Sequence, residues 1–396
     1  MEKIIVGPLK TAHIPTLVII DALDECKDKE PASAILSILS RYVDQIPSVK
    51  FFITGRPEPR IRSGFRLVAL KPITEVLKLH DVERSSVDAD IKLFFCTHLT
   101  NIANNRSLGV GWPSSSDINV LCQKATGLFI YASTVVKFVS SEHHRPAGRL
   151  ALLVSLPQKT IFEGVSGIDA LYIEVLTQAF RNVEPDDQEV FHHLRSVVGA
   201  VLLVFNPLSV KSLSDLLSGF NTPSDISTAL SSLHSLLLIP DNIEDPICTF
   251  HKSFPDFLTD PERCHDKRFF VDPLVHHTEL LYSCLNLMKK QLKRNICNLD
   301  DCIVLRKVSE LSTCQNSHIG DALKYACRFW TRHLVEMPSS GCDTEKVQKA
   351  IDEFFTMHLL FWIEVLSIIG SLDVSVHAIN NVRQWYISVS CRDSIH

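Results

Sequence analysis

The first seventy residues alternate between short apolar runs and a helical stripe. Residues 17–20 are four consecutive apolar side chains, which predict a short strand buried on both faces. Residues 31–43 carry apolar side chains at helical spacing, and residues 48–54 form a second apolar run. A third short strand is predicted over 66–70. This strand–helix–strand–strand order is typical of a parallel α/β sheet.

The rest of the chain has mainly helical periodicity. After residue 87 the apolar spacing predicts helices as far as residue 183. Three helices and a β-hairpin then follow, which is the order of a winged helix, with Ser209 as a predicted N-cap. The predicted fold is therefore an α/β remnant followed by mainly α domains, predominantly α overall. We divide it into a sheet domain (1–86), a helical linker (87–183), a winged helix (184–262) and a helical arm (263–396).

Composition narrows the class of protein. A chain of 396 residues needs more than one core, and its net charge of −5 argues against nucleic acid or an anionic membrane as a partner. The longest apolar run, residues 197–205, is about half a membrane span. Twelve cysteines occur without a CxxC pair, which favours reduced thiols and a cytoplasmic location.

Charged side chains follow the first two predicted strands. Asp21, Asp24 and Glu25 come directly after residue 20, and Arg56 follows the second run. Because parallel strands end at the same edge of a sheet, these residues are expected to lie close together. Acids at such an edge can hold Mg²⁺ and orient an attacking water. They can equally be an acidic helix start stabilised by the helix dipole, with Arg56 as an ion-pair partner.

A phosphate-binding loop is not found in the sequence. Gly7-Pro8-Leu9-Lys10-Thr11 contains a Lys-Thr pair, but no glycine directly precedes Lys10. Pro8 also lacks the N–H that would donate to a phosphate. The sequence therefore predicts acids at a strand tip without a phosphate cradle.

Four segments together resemble a known family. Residues 17–25, 51–57, 125–132 and 250–258 are similar to fungal NACHT proteins, which are signal-transducing STAND P-loop NTPases often labelled nephrocystin-like N-terminal domains. The blocks Asp-Ala-Leu-Asp-Glu and His-Lys-Ser-Phe-Pro-Asp-Phe-Leu are the most specific. The resemblance covers nearly the whole chain.

The resemblance implies roles for five residues. Asp21 matches the Walker B aspartate that coordinates Mg²⁺ when a nucleotide binds. Asp24 and Glu25 match the acids that act on the hydrolytic water. Arg56 matches the sensor arginine that reads the γ-phosphate, and His251 matches a winged-helix histidine that contacts ADP. A buried histidine bonded to a carbonyl is the alternative interpretation of His251.

Members of that family carry a phosphate loop ahead of Walker B, and this sequence begins just before the segment that resembles Walker B. We therefore expect a truncated switch, acting as a regulatory or protein-interaction fragment without ATPase activity of its own. No cofactor is expected for the chain alone, and Mg-ATP or ADP is expected if a phosphate loop is supplied. Other protein chains are the expected partners, since the family oligomerises and the sheet would keep unpaired edges. The alternatives are an NTPase completed by an upstream or second-chain phosphate loop, and a winged-helix DNA-binding protein.

Overall fold

The structure is a computed structural model. It describes residues 7, 15–26, 29–67, 69–109, 111–141, 144–156, 167–217, 222–298, 317–337 and 344–393. The chain divides into two compact units, Met1–Ser86 and Val87–His396. Its described part is predominantly α-helical, with a short parallel sheet near the N-terminus, as predicted. The finer division into four domains stays a prediction.

The first unit is built around a β–α–β segment. Strand β1 (Thr16–Ile20) pairs in parallel with β2 (Val49–Ile53), in a register that runs from Thr16 opposite Val49 to Ile20 opposite Ile53. Helix α1 (Lys29–Tyr42) connects them and contributes Leu36 and Leu39 to the core of this unit. The predicted parallel pair is therefore confirmed, and its two strands end at one edge.

The prediction that these strands are buried on both faces is wrong. Leu17, Ile19 and Phe52 are 60%, 65% and 56% exposed, and they share one face of the sheet. The opposite face packs against the core that contains Leu36. Parallel sheets are usually covered by helices on both faces, so this exposed sheet face is unusual for its class.

The predicted third strand over residues 66–70 is also wrong. Pro59 opens a second helix, α2 (Pro59–Phe65), since a proline suits the first turn of a helix. The chain then turns: the N–H of Arg66 bonds to Ser63 O at 3.1 Å and that of Leu70 to Leu67 O at 3.0 Å. Because these N–H groups bond locally, they are not available to a strand ladder.

The second unit contains the remaining helices of the described chain. The helices in its first half are α3 (Arg84–Asn105, which begins in the last residues of the first unit), α4 (Ser115–Ala125), α5 (Phe129–Ser140), α6 (Pro146–Ser155), α7 (Gly167–Ala179), α8 (Gln188–Leu203), α9 (Val210–Leu216), α10 (Pro223–Ser231) and α11 (Ser253–Leu258). Those in its second half are α12 (Pro273–Gln291), α13 (Asp321–Glu336), α14 (Thr344–Met357), α15 (Leu359–Ile368) and α16 (Asp373–Asp393). They share one continuous hydrophobic core.

A short hairpin follows α8, α9 and α10. Its strands are β3 (Leu237–Leu238) and β4 (Cys248–Thr249), which pair antiparallel. Ser209 caps α9 by accepting the N–H of Ser212, as predicted. Three helices followed by a hairpin is the predicted element order. The winged-helix assignment itself stays a prediction.

The C-terminal helices pack around aromatic side chains. The indole N–H of the buried Trp362 donates to the carbonyl of Cys327 at 2.8 Å, and its ring meets Trp330 edge-on at 6.2 Å. A break at His358 separates α14 from α15. Helix α16 lies in the predicted helical arm, and its buried apolar residues include Ala378 and Val382.

A buried ion pair joins two segments of the second unit. Asp169, in the first turn of α7, is almost fully buried. Its carboxylate accepts two hydrogen bonds from Arg263, with Nη2–Oδ1 at 2.5 Å and Nε–Oδ2 at 3.1 Å. This bidentate geometry is the strongest arrangement of an arginine and a carboxylate.

Two histidines and a tyrosine form a buried polar network. His277 Nδ1 lies 2.9 Å from His333 Nδ1, and His333 Nε2 lies 2.8 Å from the Tyr325 hydroxyl. The N–H of Phe205 donates to the same hydroxyl at 3.2 Å. All three ring side chains are buried. Burial lowers the pKa of His277 from 6.5 to about 4 and that of His333 well below its ordinary value, so both rings are neutral at pH 7.

Gly199 in α8 is required by a close neighbour. A Cβ at this position would lie 2.1 Å from Cδ2 of His276. In that ring, Nδ1 lies 2.9 Å from the carbonyl oxygen of Asp272 and Nε2 lies 2.9 Å from that of Arg195. Because those contacts hold the ring, we expect Gly199→Ala to lower the free energy of unfolding by about 1–3 kcal/mol in urea denaturation. The matched control is Gly148→Ala in α6, where a Cβ meets nothing within 4 Å. It should be neutral or slightly stabilising, and equal losses in the two variants would contradict this account.

Among the cysteines that the structure describes, one differs from the expectation of reduced thiols. Seven of them are free thiols, as predicted (Cys26, Cys96, Cys122, Cys248, Cys264, Cys284 and Cys327). Cys297 is disulfide-bonded, so the prediction that the cysteines are all reduced is wrong there. None of the helices in the described ranges is long and apolar enough to cross a membrane.

Candidate functional site

The acidic edge lies where β1 ends. Ala22 adopts a left-handed conformation with φ of 50°, and a single helical turn, Leu23–Glu25, follows. The N–H of Leu23 donates to Thr54 O at 2.9 Å, so the end of β2 is tied to this turn. Asp21, Asp24 and Glu25 thus sit on a short connection fixed by backbone contacts at the tip of the sheet.

Asp21 is exposed and held by Thr54. The Thr54 hydroxyl donates to Asp21 Oδ1 and accepts the N–H of Ala22 at 2.8 Å. Since the hydroxyl links both strand ends, it fixes the direction of the Asp21 carboxylate. Thr54 was missed as a site residue in the sequence, although it lies in the same segment as Arg56.

Asp24 is buried, with 4% of its surface exposed, and it pairs with Arg56. Its Oδ1 accepts the backbone N–H of Arg56 at 2.9 Å, and its Oδ2 lies 3.6 Å from Arg56 Nε. The ion-pair interpretation of Arg56 therefore describes the contact seen in the structure. In this arrangement the Asp24 carboxylate anchors the loop after β2.

Glu25 is exposed at the same edge, and Arg60 lies in the first turn of α2. Arg60 donates to the carbonyl of Asp24 at 3.3 Å and pairs with Glu58 at 2.9 Å. The structure therefore brings Asp21, Asp24, Glu25 and Arg56 to one edge, as predicted from the two strand ends. Arg60 is a further cation there that no motif indicated.

A magnesium ion fits this edge only with additional ligands. Asp21 offers one exposed carboxylate, and Mg²⁺ in nucleotide sites typically binds one or two carboxylates together with phosphate oxygens. Throughout the part of the chain that the structure describes, no group of three His, Cys, Asp or Glu side chains could hold a metal. The predicted Asp21 site thus depends on a bound nucleotide. The Lys10-Thr11 segment, excluded above as a phosphate loop, lies outside the described residues.

His251 belongs to the second unit and is half-buried just after β4. Its Nδ1 accepts the backbone N–H of Ser253 at 3.1 Å and lies 2.7 Å from Ser253 Oγ. Ser253 Oγ in turn lies 2.7 Å from the Tyr172 hydroxyl. Both of these contacts to Nδ1 come from Ser253, and the alternative interpretation of His251 as a buried histidine bonded to a carbonyl stays a prediction.

Comparison with known proteins gives one distant relative. Over 394 aligned residues the chain is 23% identical to the vegetative incompatibility protein HET-E-1 of Podospora anserina. The alignment covers 93% of this chain and 26% of HET-E-1, so the chain spans about a quarter of its relative's length. No protein-family model and no solved structure matches the chain.

Proposed function

We propose that this chain is a regulatory part of a NACHT-like signalling switch and does not hydrolyse ATP on its own. The observation that carries the proposal is the edge of the parallel sheet, where Asp21, Asp24, Glu25 and Arg56 meet. The distant similarity to the vegetative incompatibility protein HET-E-1 across most of the chain supports it. In such a switch the acids and the arginine face a nucleotide.

Two observations argue against hydrolysis by this chain alone. Its sequence contains no GxxxxGK[ST] motif, whose backbone N–H groups and lysine would cradle the phosphates. Asp24, matched to a catalytic acid, instead holds the loop at Arg56. General-base catalysis contributes only when the substrate is held within reach of the base.

Purified chain should therefore show no ATP hydrolysis above the buffer rate. Calorimetry with Mg-ATP and with ADP should detect no binding tighter than roughly millimolar, since a handful of side chains without a cradle makes few phosphate contacts. Micromolar binding of either nucleotide, or steady phosphate release, would contradict the proposal. Asp21→Asn should leave both results unchanged.

A second candidate is an NTPase completed by another chain. The exposed carboxylates of Asp21 and Glu25 favour it, because both remain accessible at the strand edge. Mixing the chain with a relative that carries a phosphate loop should then raise ATP turnover, and Glu25→Gln should abolish the increase. Asp44→Asn, which changes an exposed acid of the same unit, is the matched control. No change in turnover on mixing would end this candidate.

Interaction with other protein chains is part of the proposal. The exposed sheet face presents Leu17, Ile19 and Phe52 to water, and apolar patches of this kind are typical of interfaces. A parallel two-stranded sheet also gains stability when further structure covers it. Mg-ATP or ADP would bind only together with a phosphate cradle.

A further inference from the structure

A small cavity lies where three segments of the second unit meet. The connection between α8 and α9, the loop between β3 and β4, and one side of α13 line it. Its volume is about 250 Å³, below the roughly 300–1,000 Å³ of pockets for drug-sized molecules. The cavity therefore suits a small molecule, and the function proposed above does not use it.

Part of the cavity wall is apolar and held in place by its neighbours. Pro207 and Pro246 line it from the two connections, and Phe329 lines it from α13. The Phe329 ring packs against the rings of Tyr325 and Phe205, with centroids 4.9 and 5.8 Å away. Two proline rings and a fixed phenyl ring form a surface against which an apolar or aromatic body packs well.

Two carboxylates at the cavity already have cationic partners within the chain. Asp321 Oδ1 lies 2.9 Å from Lys324 Nζ, and Glu244 Oε1 lies 2.7 Å from Lys211 Nζ. Asp321, Lys324 and Glu244 line the cavity itself. Because a lysine balances each negative charge, these two pairs leave no net charge to attract a cation.

Arg328 is the lining residue whose charge is not balanced in this way. Its Nε donates to Ser371 Oγ at 3.0 Å, and within the described ranges the guanidinium forms no ion pair and no second hydrogen bond. Its two Nη groups are therefore left for a ligand, and their geometry matches the two oxygens of a carboxylate. Lys324 lies one turn earlier on the same side of α13, so a second cation stands nearby.

We propose that this cavity binds a small organic monocarboxylate with an apolar or aromatic body. The carboxylate pairs with Arg328, and the body packs against Phe329 and the two prolines. A single negative charge fits best, because the two lysine–carboxylate pairs cancel and one guanidinium remains. A phosphate monoester carries close to two charges at neutral pH and is matched less well. Binding here is independent of the proposed switch, since neither Asp21 nor Arg56 lines the cavity.

The probe for this site is 3-phenylpropionate, titrated into the whole chain and followed by saturation-transfer NMR of the ligand. We expect saturable binding with a dissociation constant of about 1 mM, within the range of ligands this small. The neutral 3-phenylpropanamide has nearly the same shape and should bind at least about tenfold more weakly. The cationic 3-phenylpropylamine should show no saturable binding.

Variants assign the binding to the cavity. Arg328→Gln should weaken the affinity for 3-phenylpropionate about tenfold, the scale of a charge-assisted hydrogen bond. Ser371→Ala should weaken it about threefold, because Ser371 is a positioning residue that holds the guanidinium through Nε. Arg383→Gln removes an exposed arginine of α16 and is the matched control, with no change expected. Thermal unfolding without ligand shows which variants keep the fold.

Three results would overturn the inference: no saturable binding of 3-phenylpropionate, equal affinity for the amide, or wild-type affinity in folded Arg328→Gln. Should Arg328→Gln fail to fold, Ser371→Ala decides, and wild-type affinity in that variant would equally overturn it. The proposed function is tested separately by ATP hydrolysis. Hydrolysis by the chain alone would overturn that function and leave the carboxylate result standing.

Discussion

Replacing Asp169 by alanine is expected to lower the free energy of unfolding by about 3–5 kcal/mol. The carboxylate is buried and makes two hydrogen bonds to Arg263, so its removal leaves a partly buried guanidinium without its carboxylate partner. The contact joins residues 94 positions apart, which places the loss in tertiary structure. Urea denaturation followed by circular dichroism measures it.

The matched control for Asp169 is an exposed ion pair in the same unit. Lys211 and Glu244 lie 2.7 Å apart, and each side chain is 52% exposed. Such pairs contribute little because water screens them, so Glu244→Gln should change stability by less than about 1 kcal/mol. Equal losses in the two variants would show that burial of Asp169 does not matter.

Stability should fall as the pH is lowered from about 6.5 to about 4. In the folded chain burial lowers the pKa of His277 to about 4, whereas the unfolded chain takes up this proton near pH 6.5. Between these values the unfolded state binds more protons, so acid favours unfolding. His277 alone should account for roughly 3 kcal/mol, and His333, whose pKa is also lowered, should add to it.

The difference between variants isolates this effect from the carboxylates that also titrate in acid. His277→Gln should lower the slope of unfolding free energy against pH by about 1.4 kcal/mol per pH unit between pH 4.5 and 6, which is one proton. His377→Gln removes an exposed histidine of α16 and should leave the slope unchanged. A wild-type slope in His277→Gln would mean that the buried ring does not resist protonation.

The sequence predicted the helices and strands better than it predicted which of their faces are covered. Periodicity located the parallel pair and most helices, because each is determined by local spacing of apolar side chains. It could not show whether one or both faces of the strands would be covered, since a run of consecutive apolar residues is compatible with either arrangement. Phe52 lies on the face that is exposed. The third strand failed because Pro59 begins a helix and the residues after Phe65 turn back on themselves.

For the candidate site, too, the sequence predicted which residues lie together but not the contacts between them. Two strand ends were enough to predict that Asp21 and Arg56 share an edge. The pairing of Asp24 with Arg56 and the role of Thr54 depend on side-chain directions within a turn, which spacing does not determine. The link from Tyr172 to His251 spans about eighty residues, and nothing in either local sequence indicates it.

The exposed sheet face with Leu17, Ile19 and Phe52 has a practical consequence for experiments on the purified chain. Apolar side chains in water attract their like, so self-association should increase with protein concentration and with added sulfate. Light scattering across a dilution series would show the concentration below which single molecules predominate. Affinities and unfolding curves recorded below that concentration describe the molecule, whereas those recorded above it also describe its clusters.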